Sequence, residues 1–435
     1  MSQNSRIFNP FWFIAPDLLW MLVSLGLVIN LKYGIASTQT VETHYRIFLP
    51  LFAVWLLVMF VHNLFDPKNL RRYTQLFFGL ISTAALNFII GVLYFYWQPD
   101  LLLTPRRFLL LTLAFWFLIT LAWHLMLKLV LQKRISEGYY LFSMQNELDE
   151  LHHEILNHSY LGFKTIEYLT SLEQLKALNP AGLNLIIPER SLDDREQAKI
   201  IYELRAKGAN VVSQVDFYER LLRRVPLDYV DEPWFLRNVW LRSTRLQQFL
   251  RRASDLLAGI VFGIVFLLTF PVIAAAIKLT SPGPLFFIQP RVGLNGQPFM
   301  VYKYRTMSAD SSGKGWTRIN DPRVTRVGAF LRRTHLDELP QCLNLLAGHM
   351  SIVGPRPEQI EIVAELTQSL PFYSERHAVN PGLTGWAQLN IYAGTLEESK
   401  LKLEYDLYYL KHRSVFFDLE IILKTVYSIL VNKLR

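Results

Sequence analysis

A single cysteine, Cys342, cannot close an internal disulfide, so nothing points to an oxidising compartment, and a small buried hydrophobe is its expected role. Charge is scarce as well. Asp, Glu, Lys and Arg make up 19% of the residues, where soluble domains carry about 25%. The net charge of +9 is spread along the second half without aromatic-interleaved basic repeats. That pattern excludes the usual nucleic-acid footprints and favours anionic lipid headgroups and phosphorylated substrates. Glycine is missing where a dinucleotide site would need it. The strand-like YYLFS is followed by Met144, Gln145, Asn146 and Glu147, with no glycine to let phosphate approach the backbone. Hydrophobic residues fill the space that charge leaves: they are 51% of the chain, and the mean hydropathy is positive. A membrane component follows.

Four apolar runs are long enough to cross a bilayer core, which takes about 20 helical residues: Phe11 to Leu31, Ile47 to Leu64, Leu76 to Trp97, and Phe108 to Leu127. Trp12, Trp97 and Trp116 suit the interfaces. The first run has no small-residue cleavage site and is expected to be an anchor, not a removed signal peptide. Lys68, Arg71 and Arg72 lie between runs two and three, and Lys128, Lys133 and Arg134 follow run four. The opposite loops hold Lys32 and Arg46, then Arg106 and Arg107. This modest bias places both ends of a four-span unit, residues 1–135, in the cytoplasm.

From Tyr139 to about Asp228, short apolar strands (YYLFS, KTIEYL, LNLIIP, NVVSQ) alternate with polar helical stretches such as Leu192 to Lys207. That rhythm predicts a Rossmann-like α/β domain over residues 136–235, with a structural or regulatory role and no cofactor. His152, His153 and His158 fall on a polar helix and are expected to be a solvated face, not a metal site.

Leu256 to Leu279 is a fifth apolar run, and a fifth span is its simplest account. Two features oppose it. Arg242, Arg245, Arg251 and Arg252 precede the run, and Lys278, Arg291, Lys303 and Arg305 follow it, so both flanks look cytoplasmic. Pro271 lies inside and removes a backbone hydrogen bond. A reentrant helix that bends at Pro271 and returns satisfies both. It leaves residues 245–435 as an α+β catalytic domain at the membrane surface.

After the turn Ser281 to Pro284 comes FFIQPRVGLNGQPFMVYKYRTM, in which Asn295-Gly296 marks a hairpin and Lys303 and Arg305 share a strand face. LRRTHLDELPQCLNLLAGHMSIVGPRPE then places Asp337 and Glu338 ahead of a short helix that contains Pro340 and ends at Gly348. A helix start keeps a carboxylate ionised and attracts phosphate. Taken alone, the acidic pair only starts a helix. Arg356 lies between Pro355 and Pro357, which restrict the backbone on either side and pre-orient a guanidinium suited to bidentate phosphate binding.

KYRTM, LRRTHLDELPQCLNLLAGHMSIVGPRPE, PGLTGWAQLN and KLEYDLYYL, in this order after SPGP, resemble the bacterial sugar transferases. The full chain resembles their large form, the polyprenyl-phosphate hexose-1-phosphate transferases that initiate exopolysaccharide, capsule or O-antigen synthesis. The resemblance implies Asp337 as nucleophile on the β-phosphorus of a UDP-sugar, with UMP expelled and a phosphosugar-aspartyl intermediate formed. It implies Glu338 as a ligand of Mg2+, and Lys303, Arg332 and Arg356 as phosphate-binding residues, with Arg305 and Arg291 less clearly placed. Gly385, Trp386 and Gln388 match a turn near the nucleotide end of the site, although a packed turn explains them equally well. Asp406, matched alongside Tyr408, is carried with Gln388 as a nucleotide-sugar-binding candidate. The implied partners are UDP-glucose or UDP-galactose, undecaprenyl phosphate, membrane lipids and, as an assembly, a homodimer. The implied location is the bacterial inner membrane, with the catalytic domain on the cytoplasmic face. His335, His349 and His377 surround the site. An aspartate nucleophile and an anionic lipid phosphate need no base, so packing is their expected role. Val415 to Arg435 spaces apolar residues with Lys424, Lys433 and Arg435 as an interfacial amphipathic helix would. A transferase that releases UDP, and a scaffold that binds lipid phosphate without chemistry, are the rival functions.

Overall fold

The structure is a computed structural model that describes residues 11–34, 37–62, 64, 73–97, 105–134, 139–143, 166–181, 183–238, 244–308, 323–391 and 395–430. Lys68, Arg71, Arg72, Met144 to Glu147, His152, His153, His158, Arg242, Lys433 and Arg435 lie outside the described residues. So do the side chains of Trp12, Arg106, Lys128, Lys133 and Arg134. The chain forms two compact units, residues 1–214 and 215–435.

The first unit begins with four helices: α1 (Phe11–Tyr33), α2 (Thr38–Val61), α3 (Tyr73–Tyr96) and α4 (Pro105–Arg134). Each contains a stretch long and apolar enough to cross a membrane. Their shared core is aromatic and aliphatic, with Phe48, Phe52, Trp55, Leu80 and Trp116 wholly buried. Their outer faces are apolar too, with Leu31, Phe78, Leu93 and Leu118 exposed. Apolar residues inside and out suit a lipid surround. Tyrosine hydroxyls tie the helices together: Tyr45 donates to the Leu22 carbonyl at 2.9 Å and Tyr94 to that of Ile47 at 3.0 Å. Asp17, Thr83, Asn87 and Thr112 are buried among them.

A four-stranded, all-parallel sheet follows in the order β2-β1-β3-β4, from β1 (Tyr139–Phe142), β2 (Ile166–Leu169), β3 (Asn184–Ile187) and β4 (Asn210–Ser213). Parallel neighbours cannot be joined by hairpins, so crossovers connect them. Helix α5 (Arg195–Ala206) is N-capped by Asp194 and packs Ile200, Ile201 and Leu204 onto Phe142, Leu185 and Ile187.

The second unit opens with a strap, α6 (Gln214–Leu222) and α7 (Glu232–Asn238), whose Val225, Leu227 and Trp234 pack on Leu366, Leu403 and Leu407. Helix α8 (Arg245–Thr280) starts on a capping box at Thr244 and runs 36 residues through Pro271 without a break. The expected bend at Pro271 therefore does not interrupt the helix. At about 1.5 Å per residue a straight helix of this length would reach roughly 54 Å. Near its start Arg251 pairs with Asp418 at 2.8 Å, and Arg252 donates to the Leu345 and Leu346 carbonyls. Near its end Ile273 and Ile277 pack on Tyr304 and Leu331. Both ends are thus held by the same unit, while Leu257, Leu267, Leu268 and Val272 between them face outward.

Strands β5 (Phe286–Val292) and β6 (Pro298–Tyr304) form the expected antiparallel hairpin, with Asn295 and Gly296 both at positive φ in its loop. Helix α9 (Arg326–Arg333), a 3-10 turn (Leu336–Gln341) and α10 (Cys342–Ala347) follow. The short parallel pair β7 (Ser351–Val353) and β8 (Gly382–Thr384), then α11 (Leu396–His412) and α12 (Val415–Leu430), complete the unit.

Candidate functional site

Three local devices put two carboxylates in one place. Thr325 caps α9 by accepting from the Gly328 amide at 2.9 Å. Gly328 is needed there because a Cβ would meet the Thr306 carbonyl oxygen at 1.9 Å. His335 then takes a left-handed conformation, φ 56, which turns the chain into the 3-10 segment whose first turn holds Asp337 and Glu338. Gly348, at φ 80, ends α10 beyond them.

Cations converge on the second carboxylate. Lys303 Nζ, from the end of β6, lies 2.6 Å from Glu338 Oε1, and Arg356 Nη2 lies 3.4 Å from the same oxygen. Burial alone would raise the Glu338 carboxyl, but the two cations bring it down to about 2. Asp337 behaves oppositely. Burial and the neighbouring Glu338 charge push it up to about 6, against the smaller pull of Lys303, His335 and Arg332. The one carboxyl is therefore held down and its neighbour pushed up. Such a split lets adjacent carboxylates take different roles.

Arg332 belongs to this neighbourhood through its charge on Asp337, and its Nε donates to Thr306 Oγ1 at 2.8 Å. Arg305 does not join the cluster. It follows the last residue of β6, is 8% exposed, and donates to the Ser281 and Pro282 carbonyls at 2.6 Å each, holding the turn after α8. Pro271 also lies apart, on α8. Gln388 donates to the Leu383 carbonyl at 3.2 Å, and among the described residues its buried Oε1 has no hydrogen-bond partner. Trp386 is packed: its indole N–H donates to the Arg223 carbonyl, and the Arg223 guanidinium covers its ring at 4.5 Å. Asp406 is buried beneath Arg376, 2.7 Å from Nη2. No described contact joins Gln388 or Asp406 to Asp337 or Glu338.

His377 is held well down, to about 4, by burial and the adjacent Arg376. His349 lies beside Phe299, with ring centroids 6.1 Å apart.

Sequence reasoning missed Arg376, Glu358 and Lys402. Lys402 pairs with Glu358, and Arg291 lies 3.8 Å from Glu358. The one available signal was the spacing of Lys402 and Asp406, four apart and hence on one helix face.

Among the described residues no three His, Cys, Asp or Glu side chains converge as a metal cage. Mg2+ does not need one: it is commonly held by one or two carboxylates, with phosphate oxygens and water completing the octahedron. Glu338 fits that donor set as the one carboxylate, with Asp337 beside it left free.

Residues 246–432 match the model of the family described as bacterial sugar transferase. The UDP-glucose:undecaprenyl-phosphate glucose-1-phosphate transferase of Escherichia coli K12 is 36% identical over 300 residues, 64% of each chain. The UDP-N-acetylgalactosamine-undecaprenyl-phosphate N-acetylgalactosaminephosphotransferase of Aeromonas hydrophila is 40% identical over 217 residues, 49% of this chain and 51% of that one. The exopolysaccharide production protein PSS of Rhizobium leguminosarum bv. phaseoli is 43% identical over 188 residues, 41% of this chain and 94% of its own. The first two matches thus span less than two thirds of those relatives' own length.

Proposed function

The chain belongs to the bacterial sugar transferase family, and on that premise we propose that it transfers hexose 1-phosphate from a UDP-sugar to polyprenyl phosphate, releasing UMP. The observation that carries the proposal is the asymmetric carboxylate pair: Glu338 held anionic by Lys303 and Arg356, Asp337 beside it outside those ion pairs.

Asp337, once ionised, attacks the phosphorus that carries the sugar. A new P–O bond forms to the carboxylate while the bond to the bridging oxygen breaks, and UMP departs with that oxygen and the electron pair. An oxygen of polyprenyl phosphate then attacks the same phosphorus, and Asp337 leaves as carboxylate. Lys303, Arg332 and Arg356 hold phosphate oxygens, as planar or compact cations suited to that task. Glu338 would hold Mg2+, which when bound would supply charge neutralisation of the diphosphate. The hexose is left open, since the named relatives use glucose and N-acetylgalactosamine donors.

The reaction is placed at the cytoplasmic face of the bacterial inner membrane. In support, both ends of α8 are held by the catalytic unit, which a helix crossing to the far side would not allow. Residues 1–135 act as a four-span anchor, and the parallel sheet as a Rossmann-like domain without a cofactor. Cysteines placed at exposed positions near Arg251 and Arg291 should label from one side only; opposite sides would establish a fifth span.

The decisive experiment incubates purified full-length protein with a panel of UDP-sugars and identifies the nucleotide released and any mass added at Asp337. UMP with a phosphosugar adduct is expected. UDP would establish transfer of a bare sugar, and no nucleotide with lipid phosphate still bound would leave a scaffold.

A further inference from the structure

The geometry points to Arg376 and Asp406, with Glu358 and Lys402, as positioning residues that aim the Arg356 guanidinium at Glu338. This inference rests on the function proposed above and concerns the segment Pro355 to Glu358.

Prolines 355 and 357 have no N–H, so two of the four residues of this loop cannot be tied down by an amide of their own. Its carbonyls tie it down, four in succession. Pro355 accepts from the Gly382 amide at 2.9 Å, Arg356 from Arg376 Nη2 at 3.1 Å, Pro357 from Arg291 Nη1 at 3.3 Å, and Glu358 from the Val292 amide at 3.0 Å. The Glu358 carboxylate is held in addition by Lys402. With the backbone fixed at every residue, the freedom left to Arg356 is in its side chain. That side chain is 42% exposed and reaches Glu338 Oε1 at 3.4 Å.

Arg376 is the part of this clamp with the most to lose. Its side chain is 1% exposed, so substrate cannot touch it. Its donors are engaged within the protein: Nε and Nη2 on Asp406 Oδ2 at 3.0 and 2.7 Å, Nη1 on the Tyr373 hydroxyl at 2.8 Å, and Nη2 on the Arg356 carbonyl. A guanidinium presents its donors from three separate nitrogens in a fixed plane, whereas lysine presents all of its donors from one. Asp406 orients the fork and lies one turn from Lys402 on α11. One rigid helix face therefore holds both ends of the loop, through Arg376 and through Glu358. This gives Asp406 a role away from the nucleotide sugar.

A double-mutant cycle tests the inference. Nucleotide release is measured for full-length wild type, Arg376→Lys, Arg356→Ala and the double variant. Arg376→Lys keeps the charge opposite Asp406 but presents its donors from one nitrogen. It should lower kcat/KM by roughly 10- to 100-fold, the usual cost of a displacement near 1 Å. In the Arg356→Ala background it should cost nothing further. Effects that multiply would overturn the proposal, because Arg376 would then act independently of Arg356. Tyr373→Phe, which removes one bond and no charge, repeats the cycle if the lysine variant folds poorly. Release of UDP would sink the proposed function and leave the cycle measurable on that nucleotide. If no nucleotide is released, amide exchange across residues 354–359 decides: faster local exchange in Arg376→Lys supports the clamp, and unchanged exchange overturns it.

Discussion

The interiors of the four-helix bundle and of the catalytic unit both leave some buried polar atoms without a partner among the described residues, Asn87 in one and Gln388 Oε1 in the other, but they differ in how they treat buried charge. In the bundle, among the described residues, Thr83, Asn87 and Thr112 have buried polar atoms with no hydrogen-bond partner, and Asp17 comes no closer to His124 than 3.8 Å. In the catalytic unit, buried and partly buried ionic groups meet counter-charges: Arg376 with Asp406, Lys402 with Glu358, Arg251 with Asp418. A bundle needs only an apolar core and an apolar outside, and polar groups within it are tolerated singly. The site proposed to hold diphosphate needs guanidinium groups at fixed positions, and each buried cation needs a paired anion to remain there.

The sharpest way to break this contrast is to remove the charge proposed to act as nucleophile. Asp337→Asn should lower nucleotide release by on the order of 10^4-fold or more, as loss of a covalent nucleophile does. Turnover within tenfold of wild type would return Asp337 and Glu338 to being acidic residues at a helix start.

Next in size is the cost of unpairing a buried ion. Arg376→Met leaves Asp406 without its counter-charge and should lower the unfolding free energy of the catalytic unit by roughly 3–5 kcal/mol. Chemical denaturation followed by a probe in that unit would measure it. A loss below about 1 kcal/mol would mean that the pair is solvated and that the contrast with the bundle is overstated.

Much of this was legible because it is local. A run of about 20 apolar residues predicts a helix from composition alone, and α1 to α4 fall where the runs do. Asn295-Gly296 names its own turn. Lys303, Asp337, Glu338 and Arg356 lie in short motifs, and the structure brings Lys303 and Arg356 to one oxygen of Glu338. The clamp was not legible. Arg376 meets Arg356 and Asp406 across 20 and 30 residues, and Lys402 meets Glu358 across 44, with no local pattern to announce them. Arg305 misled for the same reason. It lies two residues beyond Lys303, but the strand ends between them and the side chain turns to the carbonyls of Ser281 and Pro282.

A smaller effect follows from the raised carboxyl of Asp337, which reaches about 6 against an ordinary 3.8. A carboxyl raised by folding contributes stability below its unfolded pKa and loses it as pH rises through the folded one. The ionised side chain therefore strains the native state above pH 6. At pH 7.5 the inactive Asp337→Asn variant should be more stable than wild type, by no more than about 3 kcal/mol for a shift near two units. The gain should vanish as pH falls below about 4. Melting temperatures across that range, without divalent ions, would show it, and a gain that ignores pH would mean that the charge is not its source. Release of UMP should fall tenfold per unit below about pH 6 for the same reason.

The smallest expected effect tests the bundle's side of the comparison. Asn87 is wholly buried, and among the described residues neither its oxygen nor its amide nitrogen has a partner. Leucine has nearly the same shape and no polar atoms, so Asn87→Leu removes a desolvation cost without opening a cavity. It should leave the bundle unchanged or more stable by up to about 1 kcal/mol, measured by unfolding in detergent. Polar contacts inside membrane bundles average well under 1 kcal/mol in measured cases, so even a satisfied amide would lose little. A loss above about 1 kcal/mol would therefore carry information. It would show that water or lipid satisfies Asn87 in the membrane, and that the bundle too has a polar interior built for a purpose.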